Sequence, residues 1–417
     1  MKFKSLLLAG SALLTGTAAS AGGYQVTLAG QKNNGMGGVG VGLSLDQAAM
    51  FYNPGALAMV KDRGIHLGAN GTFARNSFVA EGGNQQRELR NTVTTPFGLF
   101  AAFGPSEGKF RAGIGVYTPF GSKLQYADGW EGRTALTDID LKSVFVQPTF
   151  SYAITDKLSV GAGVVVLALG SVNLQRDIPL PDSFGHIELD GKAETKLGYN
   201  VGVFFKPSDK LSVGLNYRSK IDAEVKNGDV TFTGINSPVF QPRFQEGTKF
   251  AATLPLIATT SIGIGIMPNE NLTIGLDASL ANWSAYKTLR FDFTKPVNGA
   301  DFSESRREYE DALTFRLGAQ YKLTSGLTVR AGGSYDESPV KDGFVTPETP
   351  DNDRLAGTLG ASYSFGKFGV DLSGQYIGIK KRTQTQAELI NNGTTDRIAG
   401  TYKTNVVVAG LGLNYTF

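Results

Sequence analysis

The residues able to do covalent chemistry are few. Among 417 residues there are two histidines, His66 and His186, and no cysteine. Without cysteine there is no thiolate metal site, no disulfide and no lipidated N-terminal Cys. A hydrolase of the Ser–His or Asp–His kind needs an imidazole base beside its nucleophile. His66 sits between Ile65 and Leu67 in an alternating run, His186 falls in a loop, and neither has a partner at a recognisable spacing. No phosphate-binding loop is present, and no cofactor or metal is expected. What remains is non-covalent. Arg218, Lys220, Arg316 and Arg330 each lie on the polar side of an alternating run, where a guanidinium or ammonium can hold a carboxylate by charge-assisted hydrogen bonds. Asp277, Asp336 and Asp371 share that side, so the same cations equally suit structural ion pairs.

These groups need a scaffold, and the scaffold has period two. Leu313, Phe315, Leu317, Ala319, Tyr321 and Leu323 alternate with Thr314, Arg316, Gly318, Gln320 and Lys322, and 211–217 and 327–336 read the same way. Successive strand side chains point to opposite faces, so one face is greasy and the other polar. Fourteen such runs occur, at 64–78, 94–104, 110–118, 143–154, 157–175, 195–206, 210–226, 256–267, 271–293, 312–323, 326–337, 355–365, 368–381 and 404–417. Many reach ten residues, longer than ordinary soluble strands. From the second run onward tiny connections alternate with long ones such as 119–142, 227–255 and 382–403. That asymmetry, with an even count, predicts an all-β transmembrane antiparallel barrel over 64–417, with periplasmic turns, extracellular loops and both termini periplasmic. Tyr199, Tyr217, Tyr321, Tyr335, Tyr363, Tyr376 and Tyr415 fall near run ends, where a headgroup-level girdle is expected.

Composition agrees. Glycine numbers 54, charged residues are 18% and the net charge is +3, which excludes disorder and predicts no nucleic-acid partner. Residues 1–21, with Lys2 and Lys4, an apolar stretch and Ala19-Ser20-Ala21, read as an export signal peptide. Residues 22–63 break the alternation. Glycines 35–42 are followed by Asp46, Ala48, Ala49 and Asn53-Pro54-Gly55, and the segment carries Met50, Phe51, Tyr52 and Leu57, which suit burial inside the barrel lumen.

This segment resembles the N-terminal hatch of the long-chain fatty-acid transporter family (FadL/TodX type) of Gram-negative outer membranes, with Gly55 where the family motif has Ala. Tyr117 to Gly121 with Trp130 and Arg133, and Pro350 to Arg354, resemble further family segments. The resemblance covers essentially the whole mature chain. It implies a fourteen-stranded, monomeric barrel plugged by the hatch, moving hydrophobic compounds passively. The expected partners are fatty acids or aromatic molecules, outer-membrane lipid and lipopolysaccharide, and the barrel-assembly machinery during biogenesis. Long-chain fatty acids are the leading cargo, with aromatic hydrocarbons, a general porin and a membrane hydrolase as the rival readings.

Site residues follow. Around Val164–Leu169 both faces are apolar, so Val165, Leu167 and Leu169 are expected to face the lumen, as are Phe100, Phe145, Val406 and Val408. They would line a ligand pocket or pack on the hatch. Val239, Phe240, Phe244 and Phe250 in loop 227–255 would form an outer capture groove or pack on one another. Arg218, Arg316 and Arg330 are the candidate head-group contacts. Asp46, Asn53, Pro54 and Gly55 are the expected hatch and gating residues. In the third strand Gly113, Gly115 and Pro119 weaken the ladder, and the resemblance implies a kink there that opens the wall sideways into the bilayer.

Overall fold

The computed structural model describes residues 23–90, 93–105, 108–394 and 396–417, so the expected signal peptide lies outside the described residues. Fourteen strands build the wall: β1 (Gly64–Ala80), β2 (Phe97–Phe103), β3 (Phe110–Tyr117), β4 (Asp138–Ala153), β5 (Leu158–Leu180), β6 (Lys196–Ser208), β7 (Leu211–Arg218), β8 (Thr259–Ile266), β9 (Leu272–Ala281), β10 (Ala312–Lys322), β11 (Leu327–Asp336), β12 (Arg354–Phe365), β13 (Phe368–Ile379) and β14 (Gly400–Thr416). Each pairs antiparallel with the next. β1 also pairs with β14 along its whole length, from Gly64 opposite Thr416 to Ala80 opposite Gly400. That closure leaves no edge, so backbone groups can be satisfied without water. Outward positions are apolar and exposed, as at Leu313, Phe315 and Leu317, while their neighbours Thr314 and Arg316 turn inward. The expected girdle residues Tyr199, Tyr321, Tyr335, Tyr363, Tyr376 and Tyr415 are on the outer surface.

Two of the expected runs are each two elements. The run 210–226 divides into β7 and an extracellular strand Ile221–Thr233, and 271–293 divides into β9 and Thr288–Val297. The first extracellular strand pairs with Lys249–Leu256 and with Ser183–Lys192, the second with Ala300–Arg306. About half of the expected loop 227–255 is therefore strand, and His186 lies on one of these strands. Alternation continues past the bilayer because these hairpins also have one covered face.

Residues 23–63 thread the lumen as short helical turns, Gln31–Asn34, Ala49–Tyr52 and Pro54–Met59. Wall glycines make room for the segment: Gly318 faces the backbone of Met36, Gly214 that of Val41 and Gly263 that of Gly42. A side chain at any of these would occupy space the hatch backbone fills.

One inward expectation fails. Between β4 and β5 the register steps from Val144–Leu169 to Phe145–Leu167, leaving Ala168 as an extra residue. This bulge reverses the parity beyond it. Val165 and Leu167 are buried as expected, but Leu169 turns outward and is 50% exposed.

Candidate functional site

The hatch is fixed to the wall by short polar side chains. Asn53, fully buried, accepts from Gly55 N–H at 3.0 Å and donates to the carbonyls of Val41 at 2.9 Å and Val203 in β6 at 3.0 Å. Pro54 begins the following helical turn, where its missing N–H leaves nothing unpaired. Gly55 C=O accepts from Ser159 Oγ at 2.6 Å and Ser151 Oγ at 3.2 Å. A Cβ at Gly55 would stand 2.8 Å from the Gly202 carbonyl oxygen, which explains glycine at this motif position here.

Asp46 Oδ1 accepts from Ala48 N–H at 3.0 Å, and its Oδ2 lies 3.2 Å from the Lys32 ammonium. Burial is the largest single influence and opposes its charge, but Lys32, His66 and the Ala48 N–H together hold the carboxyl below its ordinary value. Asp46, His66 and Asp371 offer potential ligand atoms within 4.8 Å of one another, the one such group among the described residues. Lys32 already neutralises Asp46, while Ser362 and Asn414 donate to Asp371. Both carboxylates therefore already have partners, and Asp46 of the hatch lies close to His66 and Asp371 of the wall. His186 is bound through Nδ1 to Asp177 at 2.9 Å and through Nε2 to Gln175 at 3.3 Å, on the extracellular hairpin.

The third strand is interrupted around Pro119, whereas Gly113 and Gly115 lie within an unbroken ladder on both sides. β3 ends at Tyr117, and its ladder resumes at Gly121–Gln125 against β4. Three residues, Thr118 to Phe120, oppose two on β4, Ser143 and Val144. Ser143 Oγ repairs the gap by donating to the Phe120 carbonyl at 2.6 Å and accepting from its N–H at 3.2 Å. Gly113 leaves room for Met50 of the hatch, whose Cε would lie 2.5 Å from an added Cβ, and Gly115 leaves room for the Phe100 ring. The Ala168 bulge lies at the same height. Across the break the first residues of the hatch lie alongside β3. Val26 N–H donates to the Pro119 carbonyl at 2.7 Å, and Gly121 N–H to the Tyr24 carbonyl at 3.0 Å, with Gln25 opposite Phe120.

Two spaces meet at this junction. The outer is a narrow crevice of about 90 Å³ between the upper parts of β4 and β5 and the extracellular hairpins, lined by apolar groups including Leu167, Leu174, Val225, Leu254, Leu256 and Phe291. At its floor lie Arg307 and Glu348, paired at 3.2 Å. Burial is the largest single influence and raises the Glu348 carboxyl, but the Arg307 guanidinium together with hydrogen bonds from Thr346 and the Glu348 backbone holds it below its ordinary value. The inner space is about 620 Å³, within the usual range of ligand pockets. It is bounded by Val26 and Leu28 of the hatch, Ile377, Val406 and Val408 of the wall, and Arg316 with Asp336. It continues past Pro96, Phe97 and Thr118 to Leu169, on the outer surface. Both spaces touch Phe120, Leu141, Ser143 and Thr349. Tyr24 stands between them, edge-on to Trp283 at 4.8 Å, tilted against Phe120 at 6.1 Å, with its hydroxyl donating to the Pro255 carbonyl at 2.6 Å.

The three expected head-group cations separate. Arg218 is committed to Tyr117, Gln147 and the Phe51 carbonyl, and Arg330 to Gln320 and Ser362. Arg316 reaches the inner space and is held loosely, by Ser279 at 3.4 Å and Asp336 at 3.7 Å. Phe100 and Phe145 are buried in an aromatic cluster around Tyr117 rather than at either space. The loop aromatics do not form the groove. Phe244 packs on Phe232, Phe250 packs behind Phe291, Phe240 is half-buried, and Val239 is 71% exposed at the loop tip. Period-two reading passed over Tyr24 and Arg307. A lone Tyr at the head of a glycine-rich segment, and an Arg in an Arg306-Arg307-Glu308-Tyr309 loop, carry no local pattern.

Residues 12–417 match the family described as "Outer membrane protein transport protein (OMPP1/FadL/TodX)". The chain is 25% identical to outer membrane protein P1 of Haemophilus influenzae over the whole of both chains. It is 22% identical to a long-chain fatty acid transport protein of Escherichia coli, over 93% of each chain. A crystal structure of a Pseudomonas aeruginosa FadL homologue superposes with a TM-score of 0.81 at 21% identity, covering 95% of this chain and all of that one.

Proposed function

The chain belongs to the OMPP1/FadL/TodX family, which makes it a Gram-negative outer-membrane channel for hydrophobic compounds and not an enzyme, and from that premise we propose that it carries long-chain fatty acids by passive capture, hatch displacement and lateral exit. The observation that carries the reading is the pair of apolar spaces meeting at Tyr24 and Phe120, the second running to the outer wall through the break in β3. A greasy chain enters the outer crevice from the loops. Moving residues 24–26 off the edge of β3 removes Tyr24 from between the two spaces and frees the path past Pro119. The chain then leaves toward Leu169, into lipid, and avoids periplasmic water in which it is poorly soluble. Arg316 is the cation best placed to meet a carboxylate on the way. No coupling to energy is required, because the gradient of a partitioning solute drives the movement. The barrel acts as a monomer in this scheme, since the whole path lies within one chain.

The test uses the absence of native cysteine. Gln25 and Phe120 are directly opposed in an antiparallel bridge, a geometry that a disulfide spans. Gln25→Cys/Phe120→Cys, oxidised, should stop uptake of labelled oleate, and reduction should restore it, while each single variant transports in both conditions. Full uptake by the oxidised double variant would overturn the gating reading. Arg316→Gln separates the substrates: it should slow oleate several-fold and leave toluene unchanged. Equal effects on both would favour aromatic hydrocarbons as cargo and remove the head-group role.

A further inference from the structure

The seam where β1 meets β14 carries on its outer face a row of cations that form no ion pair among the described residues. Arg75 opposes Asn405, and two residues further up Ser77 opposes Lys403, so Arg75 and Lys403 are diagonal neighbours on one face. The strand Arg382–Gln384 pairs with β14 through Arg382 opposite Tyr402, which brings Lys381 beside Lys403. All three cations are exposed, whereas Arg382 is buried on the inner side. Like charges at neighbouring cross-strand positions are destabilising unless something offsets them.

Elsewhere on the extracellular collar several cations have carboxylate partners, Lys196 with Glu224, Lys226 with Glu194, Lys249 with Asp229, Arg290 with Asp292 and Arg90 with Asp128, while Lys192, Arg243 and Lys295 stand singly without one among the described residues. Among the described residues Arg75, Lys381 and Lys403 have no ion pair. Arg75 and Lys403 border a shallow hollow of about 350 Å³ with Asn405 and Gln86, and Glu88 is its one carboxylate among the described residues. Glu88 is engaged by Gln86 at 3.4 Å.

Height identifies what reaches the row. Directly below Arg75 and Asn405 come Phe73 and Val407, both about half exposed and facing lipid. Tyr376, a girdle residue, donates its hydroxyl to Asn405 at 3.4 Å. Two strand residues span about 7 Å, so the cations stand one step above the acyl chains, at the level of lipid phosphates.

We propose that Arg75, Lys381 and Lys403 form a binding site for the phosphate of an outer-leaflet phosphorylated glycolipid. A phosphate monoester brings a charge of about −1.5 to −2 and three acceptor oxygens, enough to offset the row, and Asn405 and Gln86 supply neutral hydrogen-bonding groups for sugar hydroxyls. Acyl chains of the same lipid then lie along Phe73, Val407 and Tyr376. The site is separate from the transport path, which runs on the inner face and through β3.

The test is retention of lipid by the purified full-length barrel in detergent, read by native mass spectrometry and by thermal unfolding. Probes are bis-phosphorylated lipid A, the same lipid with its phosphates removed, and inorganic phosphate. The wild-type barrel should retain the phosphorylated lipid at least tenfold more strongly than the dephosphorylated one, and inorganic phosphate should not match it. Arg75→Gln/Lys381→Gln/Lys403→Gln should lose at least tenfold of that retention with its circular dichroism unchanged, and Lys210→Gln at a periplasmic turn should lose none. Equal retention of the two lipids, or undiminished binding by a folded triple variant, would overturn the proposal. Equal stabilisation by inorganic phosphate would overturn the lipid as the source. If the triple variant fails to fold, Lys403→Gln alone decides the matter: it should weaken retention several-fold, and no change would count against the site.

Discussion

Asn53→Ala should release the hatch without harming the barrel. The side chain makes three hydrogen bonds, to Gly55 N–H, the Val41 carbonyl and the Val203 carbonyl, all between 2.9 and 3.0 Å. Two hold the hatch in its own fold and the third ties it to β6. A buried hydrogen bond contributes about 1 kcal/mol net, so truncation weakens closure by about 3 kcal/mol. That corresponds to about a hundredfold rise in the open population. Hydrogen exchange by mass spectrometry reads this directly. Amides of residues 53–60 should exchange about a hundredfold faster, while those of β1 and β14, whose ladder does not involve Asn53, should keep their wild-type rates. Oleate uptake should rise if opening limits transport. Unchanged exchange in 53–60 would refute the assignment of Asn53 as the hatch fastening, and faster exchange throughout the barrel would show a general folding defect instead.

Gly55→Ala places a methyl 2.8 Å from the Gly202 carbonyl and 3.0 Å from Phe204 N, so the backbone must give way; a loss of about 1–3 kcal/mol is expected, seen as faster exchange at residues 55–59. Deleting Ala168 removes the bulge and makes the ladder regular, with Leu169 still facing outward next to inward Leu167. It should preserve barrel assembly on circular dichroism yet lower uptake, whereas wild-type uptake would argue against an exit at this height. The Glu348 carboxyl sits below its ordinary value of 4.5 because Arg307, Thr346 and the Glu348 backbone together outweigh the effect of burial. A carboxyl depressed in the native state stabilises fully above its unfolded value and loses that contribution as pH falls through the native one. Below pH 4.5 the crevice floor should therefore loosen, reported by Trp283 fluorescence, and Glu348→Gln should abolish that pH response.

The wall was legible because its physics is local. Leu313 to Leu323 announce their two faces in the order of residues alone, and Pro207-Ser208-Asp209 or Pro268-Asn269-Glu270 announce their turns. Asn53-Pro54-Gly55 was visible only through its resemblance to the family's hatch motif; the Asx cap that Asn53 forms on Gly55 is seen in the structure. What escaped depends on partners far along the chain. Leu169 was assigned inward by parity, but the extra residue Ala168 is defined only against Val144 and Phe145 of β4. Phe244 and Phe250 looked exposed in a loop and are buried because Phe232 and Phe291 come to cover them. Tyr24 gains its position from Pro255, Trp283 and Phe120, none within 90 residues of it. Alternation alone also cannot tell a strand in lipid from one above it, so β7 and Ile221–Thr233 read as one.

Passive carriage of a hydrophobic cargo through this barrel is read in uptake across an outer membrane. In a strain lacking its own carrier, labelled oleate supplied at a limiting concentration should enter several-fold faster when this chain is present, should be unaffected by collapse of the cytoplasmic-membrane potential when entry alone is scored, and should fall to background in the oxidised Gln25→Cys/Phe120→Cys variant. Uptake equal with and without the chain, for oleate and toluene alike, would contradict the account.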